Sequence, residues 1–305
     1  MAMVEVARSS VQTWECDTMG HMNVQFYVEK ASQGLAALGL YMGFGPKELG
    51  RRDLRFETRD HHIRFLREQR PGAPYYLMAG VLDADDDMFR VLIEMRNTVT
   101  DEVAATVVGD VGVVTAIDGR QASLPGSLLK AAERMRVELP NHAAPRGLTL
   151  EAPRPTPRLS EAEELGMIAT YQGEVRPAQL DAWARLSPRH FMGIVSDSIP
   201  NLLARTRGED RSADQTVGGA ALEYRFVYRD FPRGGDLLTL RSGLKQVSPK
   251  TYSWVHWLFD LESRQAVATA EAVAVALDLT TRKVIPIPDD MRADLESKLI
   301  KGIGV

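Results

Sequence analysis

The chain has 305 residues, of which 44% are hydrophobic and 26% are charged, and its formal net charge is −4. That length suits two domains of about 150 residues, the composition is typical of a packed globular protein, and the acidic balance argues against a nucleic-acid-binding protein. The single cysteine excludes an internal disulfide framework. No apolar run approaches the roughly 20 residues that span a bilayer, and the first residues lack the apolar core of a signal peptide, so we expect a cytoplasmic protein without a membrane partner.

Residues 1–115 predict an N-terminal domain that contains a strand, a helix and then a four-strand meander. A short strand ends near Trp14, and a turn that contains Asp17 leads into a helix over 24–41, where apolar residues recur at three- and four-residue spacing. The glycines and the proline of 43–50 predict a loop after this helix. The predicted strands that follow span 61–67, 75–82, 89–99 and 103–114.

Residues 116–170 predict a proline-rich linker with one helix, in the stretch SLLKAAERMRVEL. The C-terminal domain, over 171–288, repeats the first layout. A strand ends near Arg176, a turn contains Asp181, and a helix runs from Pro188 to about residue 205. The remaining predicted elements are strands over 221–228, 237–245, 252–260 and 266–277, and a helical tail over 289–305.

Three sequence blocks recur in the same order in the two halves, which identifies an internal duplication. The matched pairs are Asp17 with Asp181, Arg64 with Arg225 and Thr106 with Thr269, and the spacing within a pair is nearly the same in all three. Such small differences in spacing are expected when loops between matched strands change length. Each half therefore predicts an α+β domain in which an antiparallel sheet wraps around one helix.

The first turn and the start of the first helix carry a polar and aromatic motif, DTMGHMNVQFY, which begins at Asp17. This string resembles the strand–helix segment of the 4-hydroxybenzoyl-CoA thioesterase-like hotdog family, which has an Asp, then Gly-His-x-Asn, then an aromatic pair that opens the central helix. The resemblance covers most of 1–115 and extends through the repeat to 171–279. The matching residues are Asp17, Gly20, His21, Asn23, Phe26 and Tyr27.

The resemblance implies an α+β double hotdog, in which each half is an antiparallel sheet wrapped around one central helix and the two halves form an intramolecular pseudo-dimer. It implies an acyl-CoA thioesterase that hydrolyses its substrate to a free acid and CoA and needs no metal or redox cofactor. Acyl-CoA is then the expected partner. The acyl chain, and any further association into a homodimer, stay open.

In the family the Asp acts as a general base on water or as a nucleophile, and the resemblance carries that role to Asp17. Hydrolysis also requires stabilisation of an oxyanion, for which the unpaired backbone N–H groups at the start of the helix are suited. His21 and Asn23 are candidates for positioning the thioester or the attacking water. The candidate oxyanion and substrate-binding residues are Gly20, Val24, Gln25 and Tyr27.

These residue types also have common structural roles. An Asp before a helix often caps it, a histidine in a turn often has a satisfied ring, and Asn23 suits an N-cap as well as a substrate contact. Cys16 is adjacent to Asp17, but neighbouring strand side chains point to opposite faces, which favours an apolar role over thiol catalysis. His61 and His62 have no nearby acid or thiol at metal-ligand spacing, so no metal site is expected.

The second copy keeps the Asp and changes the motif around it. Pro188 removes a backbone N–H donor near the start of the second helix. An ion pair between Arg185 and Asp181 would make the carboxylate a weaker base. We therefore expect unequal sites, with most of the turnover at Asp17 and a second site that is either degenerate or retuned. The residues of this possible second site are Asp181, Arg185, Ser187 and His190.

Arginines on the strands that follow each helix are candidates for binding the phosphates of CoA, although exposed strand arginines are more often only solvated. The candidates are Arg64, Arg67, Arg225 and Arg229.

Two other functions compete with thioester hydrolysis. A hotdog hydratase or dehydratase also acts on acyl thioesters, but this class pairs an Asp or Glu with a His in a different local motif. A non-catalytic acyl-CoA-binding module is the second alternative, which the altered motif of the second copy keeps open.

Overall fold

The structure is a computed structural model that describes residues 3–207 and 216–305. The chain divides into two compact units, Met1–Ala144 and Pro145–Val305. In the described part of each unit, no helix combines the length and the apolar composition that a membrane crossing requires.

The first unit combines an antiparallel sheet with a long helix. Its strands are β1 (Val4–Ser10), β2 (Leu54–Phe65), β3 (Pro74–Ala84), β4 (Met88–Asn97), β5 (Val103–Thr115) and the short β6 (Gln121–Ala122). Its helices are α1 (Val24–Tyr41), α2 (Pro46–Arg51) and α3 (Gly126–Arg134). The strand order is β1-β3-β4-β5-β2 with antiparallel neighbours throughout, and β6 pairs with β5.

Helix α1 occupies the range that the apolar spacing predicts. Asn23 caps its N-terminus, because the Asn23 side chain accepts the backbone N–H of Gln25. The helix contacts β1, β3, β4 and β5 and so lies against the sheet. Its buried face includes Tyr27, Val28, Ala31 and Leu38.

The second unit repeats this arrangement. Its strands are β7 (Ile168–Glu174), β8 (Val217–Tyr228), β9 (Leu237–Val247), β10 (Thr251–Asp260), β11 (Ala266–Asp278) and β12 (Lys283–Ile285). Its helices are α4 (Leu159–Glu164), α5 (Pro188–Arg207) and α6 (Asp289–Glu296). The strand order is β8-β11-β10-β9-β7, again antiparallel, with β12 on β11 and with α5 in contact with β7 and β9.

One aromatic contact between the long helix and the sheet occurs at equivalent positions of the two sequence repeats. In the first unit, Tyr27 of α1 meets Phe65 of β2 edge to face, with ring centroids 5.1 Å apart and an interplanar angle of 72°. In the second unit, Phe191 of α5 meets Tyr228 of β8 at 5.1 Å and 76°. Phe191 aligns with Tyr27 in the repeat that pairs Asp17 with Asp181, and Tyr228 follows Phe65 by nearly the same spacing. The duplication seen in the sequence is therefore also present in the packing.

The second sequence block of the repeat is shifted by two residues from its predicted alignment. Arg64 pairs with Thr106 in the sheet, whereas the β8 residue that pairs with Thr269 is Val227. Val227, not Arg225, is therefore the counterpart of Arg64. Because strand side chains alternate with a period of two, a slip of two residues preserves the pattern of buried and exposed positions, and the sequence does not reveal it.

Several element boundaries also differ from the prediction. β1 ends before Trp14, which lies in the 3-10 turn Thr13–Glu15. β2 begins at Leu54, earlier than predicted. The prediction missed its first half because that half is rich in charged residues and lacks an apolar pattern. α2 forms within the predicted loop, with Pro46 in its first turn. The stretch 116–170 contains β6, α3, α4 and the first residues of β7.

Candidate active site

Asp17 lies in a tight turn between the 3-10 turn Thr13–Glu15 and helix α1. Its backbone N–H donates to the carbonyl of His21 at 3.0 Å, and the N–H of Gly20 donates to the carbonyl of Asp17 at 3.0 Å. Its Oδ1 accepts the N–H of Met19 at 2.8 Å. Gly20 has a φ of +77°, in the left-handed region that favours glycine. The turn therefore fixes the carboxylate while leaving its side chain 27% exposed.

His21 lies between two carboxylates. Its Nδ1 is 3.6 Å from Oδ2 of Asp17, and its Nε2 is 3.8 Å from Oε1 of Glu68. Both distances are longer than hydrogen bonds and within the range of ion pairs. Sequence reasoning missed Glu68, which follows β2 and has no motif of its own. The structure thus brings two acidic side chains to the histidine of the motif.

The backbone N–H groups at the start of α1, which are the candidate oxyanion donors, differ in their surroundings. The N–H of Asn23 donates to the carbonyl of Glu15 at 2.9 Å, and the N–H of Gln25 donates to Oδ1 of Asn23 at 3.1 Å. Among the described residues, no acceptor faces the N–H of Val24. Val24 is the first residue of an 18-residue helix, whose N-terminus carries the positive end of the dipole. Its N–H is the donor that an anionic group at this turn would meet.

Tyr27 packs behind the turn. It is buried, and its hydroxyl bonds to the backbone of Gln69. Burial raises the pKa of Tyr27 well above its usual value, although the bond to Gln69 opposes this shift. The N–H of Met22 donates to the carbonyl of the same Gln69 at 2.7 Å. Gln69, which the sequence motif does not include, therefore joins the helix and the turn to the chain after β2.

Cys16 is partly buried next to Asp17. Burial raises the pKa of the Cys16 thiol, and the charges of Asp17 and Glu15 raise it further. The thiol is therefore protonated at neutral pH and a poor nucleophile. The carboxylate of Asp17 is the stronger candidate for attack or for proton abstraction.

The second copy forms the same turn around Asp181. The N–H of Asp181 donates to the carbonyl of Arg185 at 2.7 Å, and the N–H of Ala184 donates to the carbonyl of Asp181 at 3.1 Å. Oδ1 of Asp181 accepts the N–H groups of Trp183 at 2.8 Å and of Arg185 at 3.0 Å. Ala184 has a φ of +56°, so it adopts the conformation of Gly20 in spite of its Cβ. The two turns share a backbone and differ in their side chains.

The helix that follows the second turn starts differently. Pro188 aligns with Val24 in the repeat, and proline has no N–H to offer an anion. Oγ of Ser187 forms a hydrogen bond with Nδ1 of His190 at 2.9 Å. Burial, followed by the charge of Arg189, lowers the pKa of His190. Pro188 therefore offers no N–H donor at the position where Val24 offers one in the first copy.

The side chain of Arg185 bonds elsewhere and does not form the ion pair with Asp181 that the sequence allows. Its guanidinium donates to the carbonyl of Phe231 at 3.2 Å, and its contact with Asp181 is made by the backbone N–H. Asp181 is therefore held by main-chain donors in this turn.

Two of the predicted CoA-binding arginines are buried. The guanidinium of Arg64 donates to the carbonyls of His142 and Ala144 at 2.7 and 3.0 Å, and that of Arg225 donates to the carbonyl of Thr149 at 2.9 Å. Each arginine therefore holds a connecting segment against the sheet of its own unit. These contacts make both side chains poor candidates for phosphate binding.

The other two arginines differ in exposure. Arg229 donates to the carbonyl of Arg154 at 2.8 Å, and burial lowers its pKa, as do the nearby charges of Arg154 and Arg225. Arg67 has a side chain that is 64% exposed and lies 3.5 Å from Glu102. Of the four arginines, Arg67 presents its charge to solvent and is the one we keep as a candidate for phosphate binding.

The adjacent histidines of β2 are both buried. Burial lowers the pKa of His61 to about 4, against a smaller opposing effect of Asp110. Across residues 3–207 and 216–305, no cluster of three or more His, Cys, Asp and Glu side chains is arranged to hold a metal ion.

A family model described as the thioesterase-like superfamily matches residues 11–132 and 175–295. The chain therefore belongs to the thioesterase-like superfamily and contains two copies of its domain, as the Asp17 motif and the internal repeat predict. Superfamily membership indicates thioester hydrolysis as the general chemistry. A search of curated proteins found no match.

Solved structures of similar fold cover nearly the whole chain. A Lactobacillus plantarum protein assigned as an oleoyl thioesterase has a TM-score of 0.69 at 12% identity, with 90% of this chain and 97% of that chain covered. The 12:0-ACP thioesterase from Umbellularia californica has a TM-score of 0.66 at 13% identity, with 88% and 93% covered. An acyl-ACP thioesterase from Bacteroides thetaiotaomicron VPI-5482 has a TM-score of 0.65 at 10% identity, with 88% and 96% covered. At these identities the likeness concerns the fold, which is the hotdog fold.

Proposed function

We propose that the protein hydrolyses acyl-CoA thioesters and that the turn around Asp17 is the working site. One observation carries the proposal: a partly exposed carboxylate is fixed in the turn that leads into α1, and the first N–H of α1, at Val24, has no acceptor among the described residues. A base or nucleophile and an oxyanion donor are the two groups that thioester hydrolysis requires. We also propose that each sheet wraps around its long helix, which sets the N-terminus of α1 beside the turn.

In the proposed reaction Asp17 acts in one of two ways. As a general base, it takes a proton from water while the water oxygen attacks the thioester carbonyl carbon. As a nucleophile, its carboxylate attacks that carbon and forms a mixed anhydride, which water then hydrolyses. In both routes the carbonyl oxygen gains negative charge, which the N–H of Val24 and the helix dipole stabilise. The carbon–sulfur bond breaks when the tetrahedral intermediate collapses, which in the nucleophilic route is the step that forms the anhydride, before water attacks it. The sulfur leaves as the thiol once it is protonated.

His21 would act beside the carboxylate rather than replace it. Its ring lies between Asp17 and Glu68, so it can orient the carboxylate or supply a proton to the departing sulfur. Asn23 would stabilise the start of the helix, because its side chain accepts the N–H of Gln25 and its backbone N–H donates to the carbonyl of Glu15. This cap keeps the helix start in place while leaving Val24 available.

Thiol release from a panel of acyl thioesters tests the proposal. The panel contains CoA esters of short, medium, long and aromatic acyl groups, and matching acyl-ACP esters, because two of the structurally similar proteins are acyl-ACP thioesterases. We expect thiol release with at least one acyl-CoA and its loss in Asp17→Asn. Thiol release from acyl-ACP esters alone would support thioester hydrolysis but would show that the substrate's carrier is ACP and not CoA.

Two other outcomes of the same assay would replace the proposal. Loss of enoyl absorbance without thiol release would indicate a hydratase or dehydratase. Saturable binding of acyl-CoA without either signal would indicate a binding module.

A further inference from the structure

A buried ion pair joins the Asp17 turn to helix α1. Glu15 lies in the 3-10 turn before Asp17 and is 3% exposed, and Lys30 lies in the second turn of α1 and is 7% exposed. Nζ of Lys30 donates to Oε1 of Glu15, and the N–H of Gln12 donates to Oε2 at 2.9 Å. The only sign of this pair in the sequence is the position of Lys30, which lies three residues after Tyr27 and therefore on the same, apolar side of the helix.

The main chain of Glu15 makes a second link. Its carbonyl accepts the N–H of Asn23 at 2.9 Å, and Asn23 is the N-cap of α1. Asp17 and Val24 both lie between the two partners of the ion pair. The side chain of Glu15 therefore closes a loop that contains the proposed carboxylate and the proposed oxyanion donor.

The second copy shows that the turn folds without this ion pair. In the alignment that pairs Asp17 with Asp181, Gln179 takes the place of Glu15 and buried Ile194 takes the place of Lys30. Oε1 of Gln179 accepts the N–H of Arg176 at 2.8 Å, and its carbonyl accepts the N–H of Ser187 at 3.1 Å. The backbone hydrogen bonds of the first copy are thus repeated around uncharged side chains.

A buried ion pair is a costly way to achieve what a neutral pair achieves, because both charges lose their hydration. Burial alone lowers the pKa of Lys30, but its hydrogen bond with Glu15 raises the pKa above its usual value, so the ammonium stays charged. Tyr75 of β3 is buried beside the same ammonium. Formation of the turn alone does not require the charges, since the second copy forms it with Gln179 and Ile194.

We infer that Glu15 and Lys30 are positioning residues, which hold Asp17 and the N–H of Val24 at a fixed separation. This inference rests on the proposed thioester hydrolysis. Catalysis by two fixed groups depends on their alignment, and a displacement of about 1 Å costs as much as a hundredfold in rate. Attraction between opposite charges across the base of the loop restricts it more strongly than a contact between Gln and Ile. The second copy, which lacks the free donor, has no need of the restriction.

The test places the neutral residues of the second copy in the first. The double variant Glu15→Gln/Lys30→Ile avoids the unpaired buried charge that either single substitution would leave. We expect kcat to fall about tenfold or more, since the loop is less restrained. We expect KM to change by less than about threefold, since no substrate contact is removed. Backbone amides of 17–24 should exchange with solvent roughly tenfold faster.

Two further variants sharpen the result. Glu15→Gln/Lys30→Met preserves the volume of the lysine stem and serves if the first double variant does not fold. Lys245→Met/Glu271→Gln removes another partly buried ion pair, formed at 2.6 Å between β9 and β11, and should leave kcat and the exchange of 17–24 unchanged.

Normal kcat together with normal exchange of 17–24 in the Glu15/Lys30 variant would overturn the inference. If the wild type releases no thiol from any ester, the proposed function fails. The exchange measurement then still decides the inference, since unchanged exchange rates would show that the ion pair does not restrain the turn.

Discussion

At the residue scale, replacing Val24 with proline tests the proposed oxyanion donor alone. Val24→Pro removes one N–H and keeps the helix, because proline is accepted at the first helical position and the second copy has Pro188 there. Asn23 already has the extended conformation, with φ of −63° and ψ of 142°, that a residue before proline requires. We expect kcat to fall by about a hundredfold, the usual effect of losing one oxyanion donor.

Val24→Ala is the matched control, since it shortens the side chain and retains the N–H. Thiol release should then stay near the wild-type rate, while both variants keep the circular dichroism spectrum of the wild type. Equal activity of the two variants would remove Val24 from the mechanism.

Asp17→Asn tests the carboxylate itself. The amide oxygen of Asn can still accept the N–H of Met19, so the turn keeps its hydrogen bond and the melting temperature should change little. We expect kcat to fall about a hundredfold or more, because an amide is neither a base nor a nucleophile. Steady-state thiol release and a thermal melt measure the two effects, and near-normal turnover would contradict the assignment.

The parts of the proposed site that are local in the chain are those that the sequence can predict. The Asp, the glycine with positive φ and the N-cap form one short string, so their types and spacing determine the turn. Glu68, Gln69 and Lys30 escaped prediction because they reach the turn through the packing of β2 and α1. Their contribution depends on distances that no local pattern contains.

At the scale of elements, buried histidines inside strands make stability depend on pH. His61 in β2 and His256 in β10 are both buried, and burial lowers their pKa values to about 4 and about 3. Unfolded chains bind a proton at histidine near pH 6.5, whereas these folded histidines do so only at much lower pH. The unfolded state therefore takes up more protons below pH 6.5, and acid favours unfolding by about 1.4 kcal/mol per pH unit for each histidine.

The His256→Leu variant should reduce this dependence. We expect the wild-type free energy of unfolding to fall between pH 6.5 and pH 5, and the fall to be about 2 kcal/mol smaller in the variant. Urea titrations at the two pH values measure the difference. Loss of the hydrogen bond between Nδ1 of His256 and Oγ of Ser242, at 2.8 Å, shifts the variant's stability at both pH values, so only the difference between them is compared. An identical pH dependence in both proteins would contradict the expected protonation of His256.

Element prediction succeeded where hydrophobic periodicity was strong. The range of α1 was predicted from its apolar spacing, and most strands from continuous or alternating apolar runs. It failed at the start of β2, where Arg55 and Glu57 are charged and nevertheless buried, and at α2, where glycines suggested a loop. The two-residue slip of the Arg64 block has the same origin, since a pattern of period two is unchanged by such a shift.

At the scale of the whole molecule, duplication created two turns that have since diverged. Both keep the aspartate, the positive φ and the same backbone hydrogen bonds. The first also has an N–H at Val24 that meets no acceptor within 3–207 and 216–305, and a buried Glu15–Lys30 pair, whereas the second has Pro188 and uncharged residues. The chain thus allows a comparison between the proposed site and a second turn that keeps its aspartate but has Pro188 in place of Val24.

The two aspartates should therefore contribute unequally to turnover. Asp181→Asn should leave kcat within about twofold of wild type, because Pro188 has no N–H at the position of the proposed donor Val24, whereas Asp17→Asn should lose about a hundredfold or more. Both variants keep the acceptor for the backbone N–H groups of their turn, so both should fold normally by circular dichroism. They are compared on the same acyl-CoA at the same enzyme concentration. A larger loss in Asp181→Asn would assign the working site to the second copy, and equal losses would show that the two turns act together despite Pro188.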